Sequence, residues 1–500
     1  MRIIIESKKK EGIDRMSTEN THLSPNEIHD ALSSGGGVYF IGIGGVMMSS
    51  LALLTKRMGF EVRGSDRTRT ETTEKLEREG ITVYYGHDAQ NVRDFNECSL
   101  TVYTVAISPD NPEYKASKER GILAVSRANY LGYIMTFYNN RVGVAGMHGK
   151  STCTSMCAQI FMGADVDPTI LSGADYAPMG GAYRIGAKDR EHFIFEACEY
   201  MDSFLDFYPT VAILLNAEME HVDYFKSMEQ IRESFRKFAA ITGSDAQSGG
   251  TVVVNMDDCD VLESANQALA DGDCKKIISF SLIDPSAELF AANISVSSTG
   301  CCEFDLMAWG KQISRVALRV TGRHQIYNSL ASAGAAYACG IPWEDIIKGL
   351  EAFSGAGRRM EYRGILNGAA VYDDYGHHPT EISATLSGAK CLCREKGRLI
   401  CAFQPHTYSR TAELFEKFKL AFDDADLIIL LDIYSAREDN TYGVSSQKLA
   451  DAICATGKNA IYAPSYDIAA DIISDSAKSG DTVVIMGAGD IYHLSRALVK

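Results

Sequence analysis

A chain of 500 residues with 65 acidic against 49 basic side chains, formally −16 at pH 7, lacks the basic face that nucleic-acid phosphates require. Its 46% hydrophobic and 23% charged residues are ordinary for a globular chain, and its length suits about three domains with separate cores. Thirteen cysteines, an odd number without CxxC pairs, fit reduced thiols and a cytoplasmic location rather than a disulfide scaffold.

Residues 1–34 are polar and read as a tail with one short helix. The apolar run Ile3-Ile4-Ile5 is too short for a signal-peptide core, Met16 offers an alternative start, and membrane insertion is not expected because no run nears about 18 apolar residues. Over 35–138 a strand at Gly37–Ile41 leads to a helical run ending about Met58. The strand Glu61–Gly64, a helix over 71–79 and strands at 81–84 and 100–105 follow. This alternation predicts an α/β domain with a parallel, doubly wound sheet. Gly42-Ile43-Gly44-Gly45-Val46-Met47 opens like a dinucleotide fingerprint, with Met47 in place of the third glycine. Asp66 ends the second strand, where an acidic residue would bond a ribose hydroxyl. Three readings satisfy these residues: NAD or FAD, the diphosphate of a UDP-sugar, or close strand–helix packing.

The second block, 139–355, starts with the apolar strand before Gly146-Met147-His148-Gly149-Lys150-Ser151-Thr152, which leads into a helix expected over Cys153–Phe161. Glycines let backbone N–H groups approach phosphate oxygens, Lys150 would reach the terminal phosphates, and the Ser151 hydroxyl would hold Mg²⁺. The spacing is shorter than the eight-residue P-loop, since Val144 stands where that pattern has glycine. An ATP-using protein is expected. Strands are predicted at His192–Ala197, Val211–Leu215 and Thr251–Asn255, with the alanine-rich helix Asn328–Ala338 closing the block. Residues just past strand C-termini line the ligand crevice of such sheets, and there lie Glu196-Ala197-Cys198-Glu199 and Asn216–Tyr224. Ser151, Glu196 and His221 form the expected Mg²⁺ set.

A third α/β block, 356–500, has predicted strands at Ala369–Tyr372, Leu399–Phe403, Asp426–Leu431 and Thr482–Met486. Its adjacent His377-His378 by itself fits a metal site or a helix cap. At this point the ordered motifs resemble the Mur ligase family. The matching segments include Gly42-Ile-Gly-Gly, Ser65-Asp66, Gly146-Met-His-Gly-Lys-Ser151, Glu196-Ala-Cys-Glu199 and Asn216–Tyr224. Gly322–Asn328, Gly357–Glu361, Asp373-Asp-Tyr-Gly-His-His-Pro-Thr380, Phe403-Gln-Pro-His-Thr-Tyr-Ser-Arg410, Asp432–Glu438 and Met486-Gly-Ala-Gly-Asp490 continue the set.

The resemblance implies three domains: an N-terminal Rossmann-like one binding a UDP-sugar, a central P-loop ATPase-type one and a C-terminal Rossmann-like one binding an amino acid. It implies ATP-driven joining of L-alanine to the lactyl carboxylate of UDP-N-acetylmuramate through an acyl phosphate, early in peptidoglycan synthesis, by a monomer or homodimer. By the same resemblance, Gly42, Gly44, Gly45, Ser65 and Asp66 meet the UDP-sugar. Gly146, His148, Gly149, Lys150, Ser151 and Thr152 meet the ATP phosphates. His324, Gln325 and Asn328 lie beside adenine, and Arg359 and Asp374 close over ATP. Tyr375, His377, His406 and Arg410 surround the alanine, with Arg410 suited to its carboxylate. Either His377 or His406 orients the amine. Lys150, Glu196, His221, His377 and Arg410 are the expected catalytic set.

Met147, Cys198, Glu220, Gln325 and Val105 depart from the family pattern, where Thr, Asp, Asp, Asn and a Ser/Thr-Ala-Ile segment are usual. Three competing readings are a family member that attaches a preformed tripeptide during wall recycling, an NAD-dependent oxidoreductase, and a nucleotide-binding regulator without catalysis.

Overall fold

The computed structural model describes residues 23–499 apart from 34, 105–106, 187–190, 222–223, 247–248, 273, 298–299, 395 and 437. Most of the N-terminal tail with Met16, the departure at Val105, and Val222-Asp223 lie outside the described residues. The chain divides into two compact units, with Met1–Asn139 and Tyr200–Tyr208 in the first and the remainder in the second.

The first unit is built on a five-stranded sheet, in spatial order Thr82–Tyr85, Val62–Asp66, Gly37–Ile41, Cys98–Tyr103 and Leu123–Ser126. Every pairing is parallel. The order reverses at the central strand Gly37–Ile41, which is buried throughout. Ligand crevices open at such switch points, and the glycine loop Gly42–Gly45 leaves the sheet there. The helix Val46–Arg57 follows and buries Leu51, Leu53 and Leu54.

The second unit holds a ten-stranded sheet and a six-stranded one. The strand Asn140–Ala145 sits between Val211–Leu214 and His192–Glu196, parallel to both, and feeds the phosphate loop. The helix after that loop begins at Lys150, not Cys153, and runs to Gly163. It packs with the helix His324–Ala338 over a core that includes Val142, Met156, Ile160, Ile213, Ile326 and Leu330. That second helix starts four residues before the expected Asn328, and Trp343–Ala352 follows it, so it does not close the block.

The expected parallel pairing holds around the loop and out to Leu289, but both edges of the sheet turn antiparallel, one of them at Thr169–Tyr176 with Gly181–Arg184. Leu289–Val296, Cys301–Ala308 and Lys311–Thr321 form an antiparallel arm that the sequence reading did not expect. Its middle strand alternates half-buried and buried residues, the pattern of a sheet with only one covered face. In the six-stranded sheet the parallel strands Ala369–Asp374, Thr482–Met486, Leu399–Phe403, Leu427–Leu431 and Ala460–Ala463 carry an antiparallel edge, Glu361–Leu366. The fold is thus α/β, with one parallel and two mixed sheets.

Candidate active site

In the first unit, Asp66 reaches back across the switch point, and its Oδ2 accepts the Gly44 N–H at 2.8 Å. A Cβ at residue 44 would lie 2.8 Å from that oxygen, so the residue must be glycine for the loop to close on the carboxylate. The helix that follows has Gly45 at its N-cap and no side-chain cap. Its free N–H groups and dipole therefore favour an anion. Ser65 donates to the buried Glu113 at 2.6 Å. The same carboxylate accepts from Tyr39 and Asn91 and meets the His87 ring, each at 2.8 Å. Glu113 carries no expectation from the sequence; its role as the brace behind Ser65 comes from contacts 22 to 74 residues apart.

In the second unit, the phosphate loop turns on Gly149, whose φ of +84° is left-handed and whose Cβ position lies 2.7 Å from Asn328 Oδ1. The helix beginning at Lys150 also lacks a side-chain cap. Asn216 braces the loop twice, accepting the His148 N–H at 2.8 Å and donating to the His148 carbonyl at 3.1 Å. The Lys150 ammonium donates to the Gly146 and Met147 carbonyls and lies 3.1 Å from Glu199 Oε2. Burial is the largest influence on Lys150 and opposes its charge, yet Glu199 holds its pKa above the ordinary lysine value. Glu199 in turn stays below the usual carboxylate range, because Lys150 and His221 outweigh its own burial.

Glu199 is the residue that links the expected catalytic groups, since its Oε1 lies 3.2 Å from His221 Nε2. Sequence reasoning quoted it in a motif and gave it no role. Glu196, at the end of its strand, accepts the Gly173 N–H at 2.5 Å and the Ser172 hydroxyl at 3.2 Å. A Cβ on residue 173 would sit 2.7 Å from Glu196 Oε2, so the backbone forms a close cradle around this carboxylate. Ser151 and Thr152 are nearly buried in the first helical turn.

The C-terminal residues meet the central domain at this loop. His148 Nε2 lies 3.1 Å from Glu218, and its Nδ1 lies 3.2 Å from Glu381. Burial is the largest influence on His148 and opposes its charge, but the two carboxylates raise its pKa to about 9. Arg410, expected at the amino-acid carboxylate, pairs with Glu220 of the central domain at 2.6 Å. The His406 and His377 ring centroids lie 6.0 Å apart, and the Arg410 side chain also donates to the His406 carbonyl. Burial lowers the pKa of His377 to about 4, so its imidazole is neutral at pH 7. Tyr375 stands edge-on to His377, with the Arg359 guanidinium 5.0 Å from the centre of its ring.

Asp374 accepts the Met360 and Gly376 N–H groups at 2.9 and 2.8 Å, and burial raises its pKa to about 6 against the pull of Arg359. His324, Gln325 and Asn328 form a chain, His324 to Gln325 at 3.0 Å and Gln325 to Asn328 at 3.2 Å, on the helix beside Gly149. His378 caps the helix Pro379–Lys390. The structure therefore gathers Lys150, His221, His148, Arg410 and His377 around the carboxylates Glu199, Glu218, Glu220 and Glu381.

Three family models match in order: the Mur ligase catalytic domain over residues 37–139, the Mur ligase middle domain over 144–336, and the Mur ligase glutamate ligase domain over 358–489. The chain is similar to the UDP-N-acetylmuramate–L-alanine ligase of Acetivibrio thermocellus, 42% identical over 93% of this chain and 95% of the relative. It is equally similar to that of Clostridium beijerinckii, 42% identical over 93% and 97%. Among solved structures, the UDP-N-acetylmuramate–alanine ligase of Thermotoga maritima aligns with TM-score 0.73 at 25% identity, covering 93% of this chain and 98% of that one. A murein peptide ligase from Psychrobacter arcticus aligns with TM-score 0.64 at the same identity and coverage. With its three domains matched in sequence order and its phosphate loop facing the C-terminal histidines, this chain belongs to the Mur ligase family.

Proposed function

We propose that this chain joins L-alanine to the lactyl carboxylate of UDP-N-acetylmuramate at the expense of ATP, in the cytoplasm. The carrying observation is the phosphate loop, where Lys150 is aimed by two carbonyls and Glu199 at the start of an uncapped helix. The relatives named for this reaction support the choice of substrates. We assign 35–138 to the UDP-sugar, 139–355 to ATP and 356–500 to the amino acid.

A carboxylate is unreactive toward amines because its oxygen is a poor leaving group. Attack of the lactyl oxygen on the γ-phosphorus, with departure of ADP, gives an acyl phosphate; the alanine amine then displaces phosphate from the carbonyl carbon. Lys150 neutralises the anions brought together in the first step. The oxygen donors Ser151 and Glu196, the latter held in its glycine cradle, fit Mg²⁺, while His221 is held on Glu199. Bound there, Mg²⁺ would neutralise phosphate charge. Arg410 exchanges Glu220 for the alanine carboxylate, one anion for another. The neutral His377 accepts a hydrogen bond from the amine. Asp66 holds the first glycine loop closed from inside the protein, while the uncapped helix start binds the UDP diphosphate.

The test is phosphate release from ATP and Mg²⁺ with UDP-N-acetylmuramate, with and without L-alanine. Release that needs both substrates, with a product heavier by one alanine residue, is expected. Release with a preformed tripeptide but not with alanine would move the chain to the recycling reaction suggested by the murein peptide ligase likeness.

A further inference from the structure

We propose that Glu438 is a positioning residue for the amino-acid substrate, bracing the turn that carries His406 and Arg410, a role that rests on the ligase reading above. Glu438 lies in the loop after the strand Leu427–Leu431. The turn it holds lies in the loop after Leu399–Phe403, the parallel neighbour of that strand.

The two loops are joined at three points. The Tyr434 N–H donates to the Pro405 carbonyl at 2.9 Å. The Tyr434 ring stacks on His406, with 5.4 Å between centroids and 13° between planes. One Glu438 oxygen accepts the Ser409 N–H at 2.9 Å, and the other accepts the Thr407 and Ser409 hydroxyls at 2.8 and 2.5 Å. Ser409 sits in the first turn of the helix Tyr408–Glu413, where an N–H finds no acceptor within the helix. Glu438 supplies that acceptor from 29 residues away. Burial is the largest influence on Glu438 and opposes its charge, but the bonds from Ser409 and Thr407 hold its pKa below the ordinary glutamate value.

Arg410, one residue past Ser409, folds back over the braced turn. Its guanidinium donates to the His406 carbonyl at 2.8 Å and lies 3.1 Å from His406 Nδ1. A guanidinium can only donate, so that ring nitrogen accepts. His406 and Arg410 thus form one fixed unit, aimed at Glu220 at 2.6 Å. An amino-acid carboxylate that takes the place of Glu220 meets a cation already oriented. Without the brace, the freedom of the turn must be given up at each binding event, which costs affinity. The carboxylate is not the reacting group, so the loss falls equally on ground and transition states and shows in KM rather than kcat.

The test compares full-length variants in the phosphate-release assay, with whichever amino-acid substrate, alanine or tripeptide, the wild-type chain uses. Glu438→Ala should raise KM for that substrate about 10-fold or more, with kcat within about threefold. KM for ATP and for UDP-N-acetylmuramate should stay within about twofold. Glu438→Gln separates brace from charge, because an amide can accept the Ser409 N–H and donate to a hydroxyl oxygen; it should restore KM to within about threefold of wild type. Amide exchange at Ser409, measured without substrates, should quicken about 10-fold in Glu438→Ala and stay near wild type in Glu438→Gln. Wild-type silence with both substrates would refute the ligase reading, and amide exchange would then judge the brace alone. If Glu438→Ala fails to fold, by thermal unfolding, the double variant Thr407→Val, Ser409→Ala carries the KM test. An equal rise in all three KM values, a fall in kcat alone, a Gln variant as poor as the Ala variant, or unchanged exchange in Glu438→Ala would each overturn the proposal.

Discussion

The chain uses the strand–glycine–helix device twice, after Gly37–Ile41 and after Asn140–Ala145, and the two copies share a layout but differ in the charge that closes the turn and in the helix entry, extended at Gly45 and left-handed at Gly149. Both helices start without a side-chain cap. The first loop is closed by a carboxylate, Asp66 on the Gly44 N–H, and carries no cation of its own. The second is closed by an ammonium, Lys150 on two loop carbonyls, and that cation is held in turn by Glu199. In the proposed function the first layout would hold a diphosphate that only needs to be bound, and the second a triphosphate whose charge must be met as it reacts. The difference lies in which ion closes the turn.

The largest test of this contrast is Lys150→Ala. Removing a charge aimed at the reacting phosphate should lower kcat about 10³-fold in the phosphate-release assay. Leaving Glu199 buried with only His221 beside it should also cost about 3–5 kcal/mol of stability. The double variant Lys150→Ala, Glu199→Gln should recover the melting temperature and not the turnover. Full activity in either would break the comparison.

Gly173→Ala comes next. Its methyl would meet Glu196, so the Mg²⁺ concentration for half-maximal rate should rise about 10–100-fold, with the nucleotide-free melting curve little changed. In the first loop, Asp66→Ala removes the charge-assisted hydrogen bond to Gly44 together with the one from the Arg67 N–H. It should raise KM for the UDP-sugar about 10-fold while kcat stays within about twofold. A loss in kcat alone would mean that the first loop takes part in chemistry.

The smallest effect is one of acidity. Burial depresses the pKa of His324 from 6.5 to about 4, with Arg359 adding to the shift. The unfolded chain therefore binds the extra proton first, and stability should fall as pH drops from about 6.5 toward 4. His324→Gln should remove on the order of 1 kcal/mol of that dependence, read as a shift in denaturant midpoint.

What could be read from the sequence was local. Glycine spacing, short apolar runs such as Val211-Ala-Ile-Leu, and the Lys150-Ser151 turn announce themselves within a few neighbouring residues. The antiparallel arm over residues 289–321 did not, because its strands are half-exposed and their alternation is interrupted by register shifts. Nor did the roles of Glu199, Glu218, Glu220 and Glu381, since an acidic residue in a loop carries no sign of which cation it will meet. Arg410 finds Glu220 from 190 residues away, and only the folded chain decides that pairing.

The close approach of Gly149 to Asn328 ties the hinge of the phosphate turn to the helix that carries the residues expected beside adenine. Neither position can drift freely over generations. A side chain at 149 would need both a relaxed turn and a smaller residue at 328, two substitutions far apart in the gene that are harmful singly. Sequence variation among descendants of this chain should therefore leave that pair untouched while the surrounding loop residues, such as Met147, change.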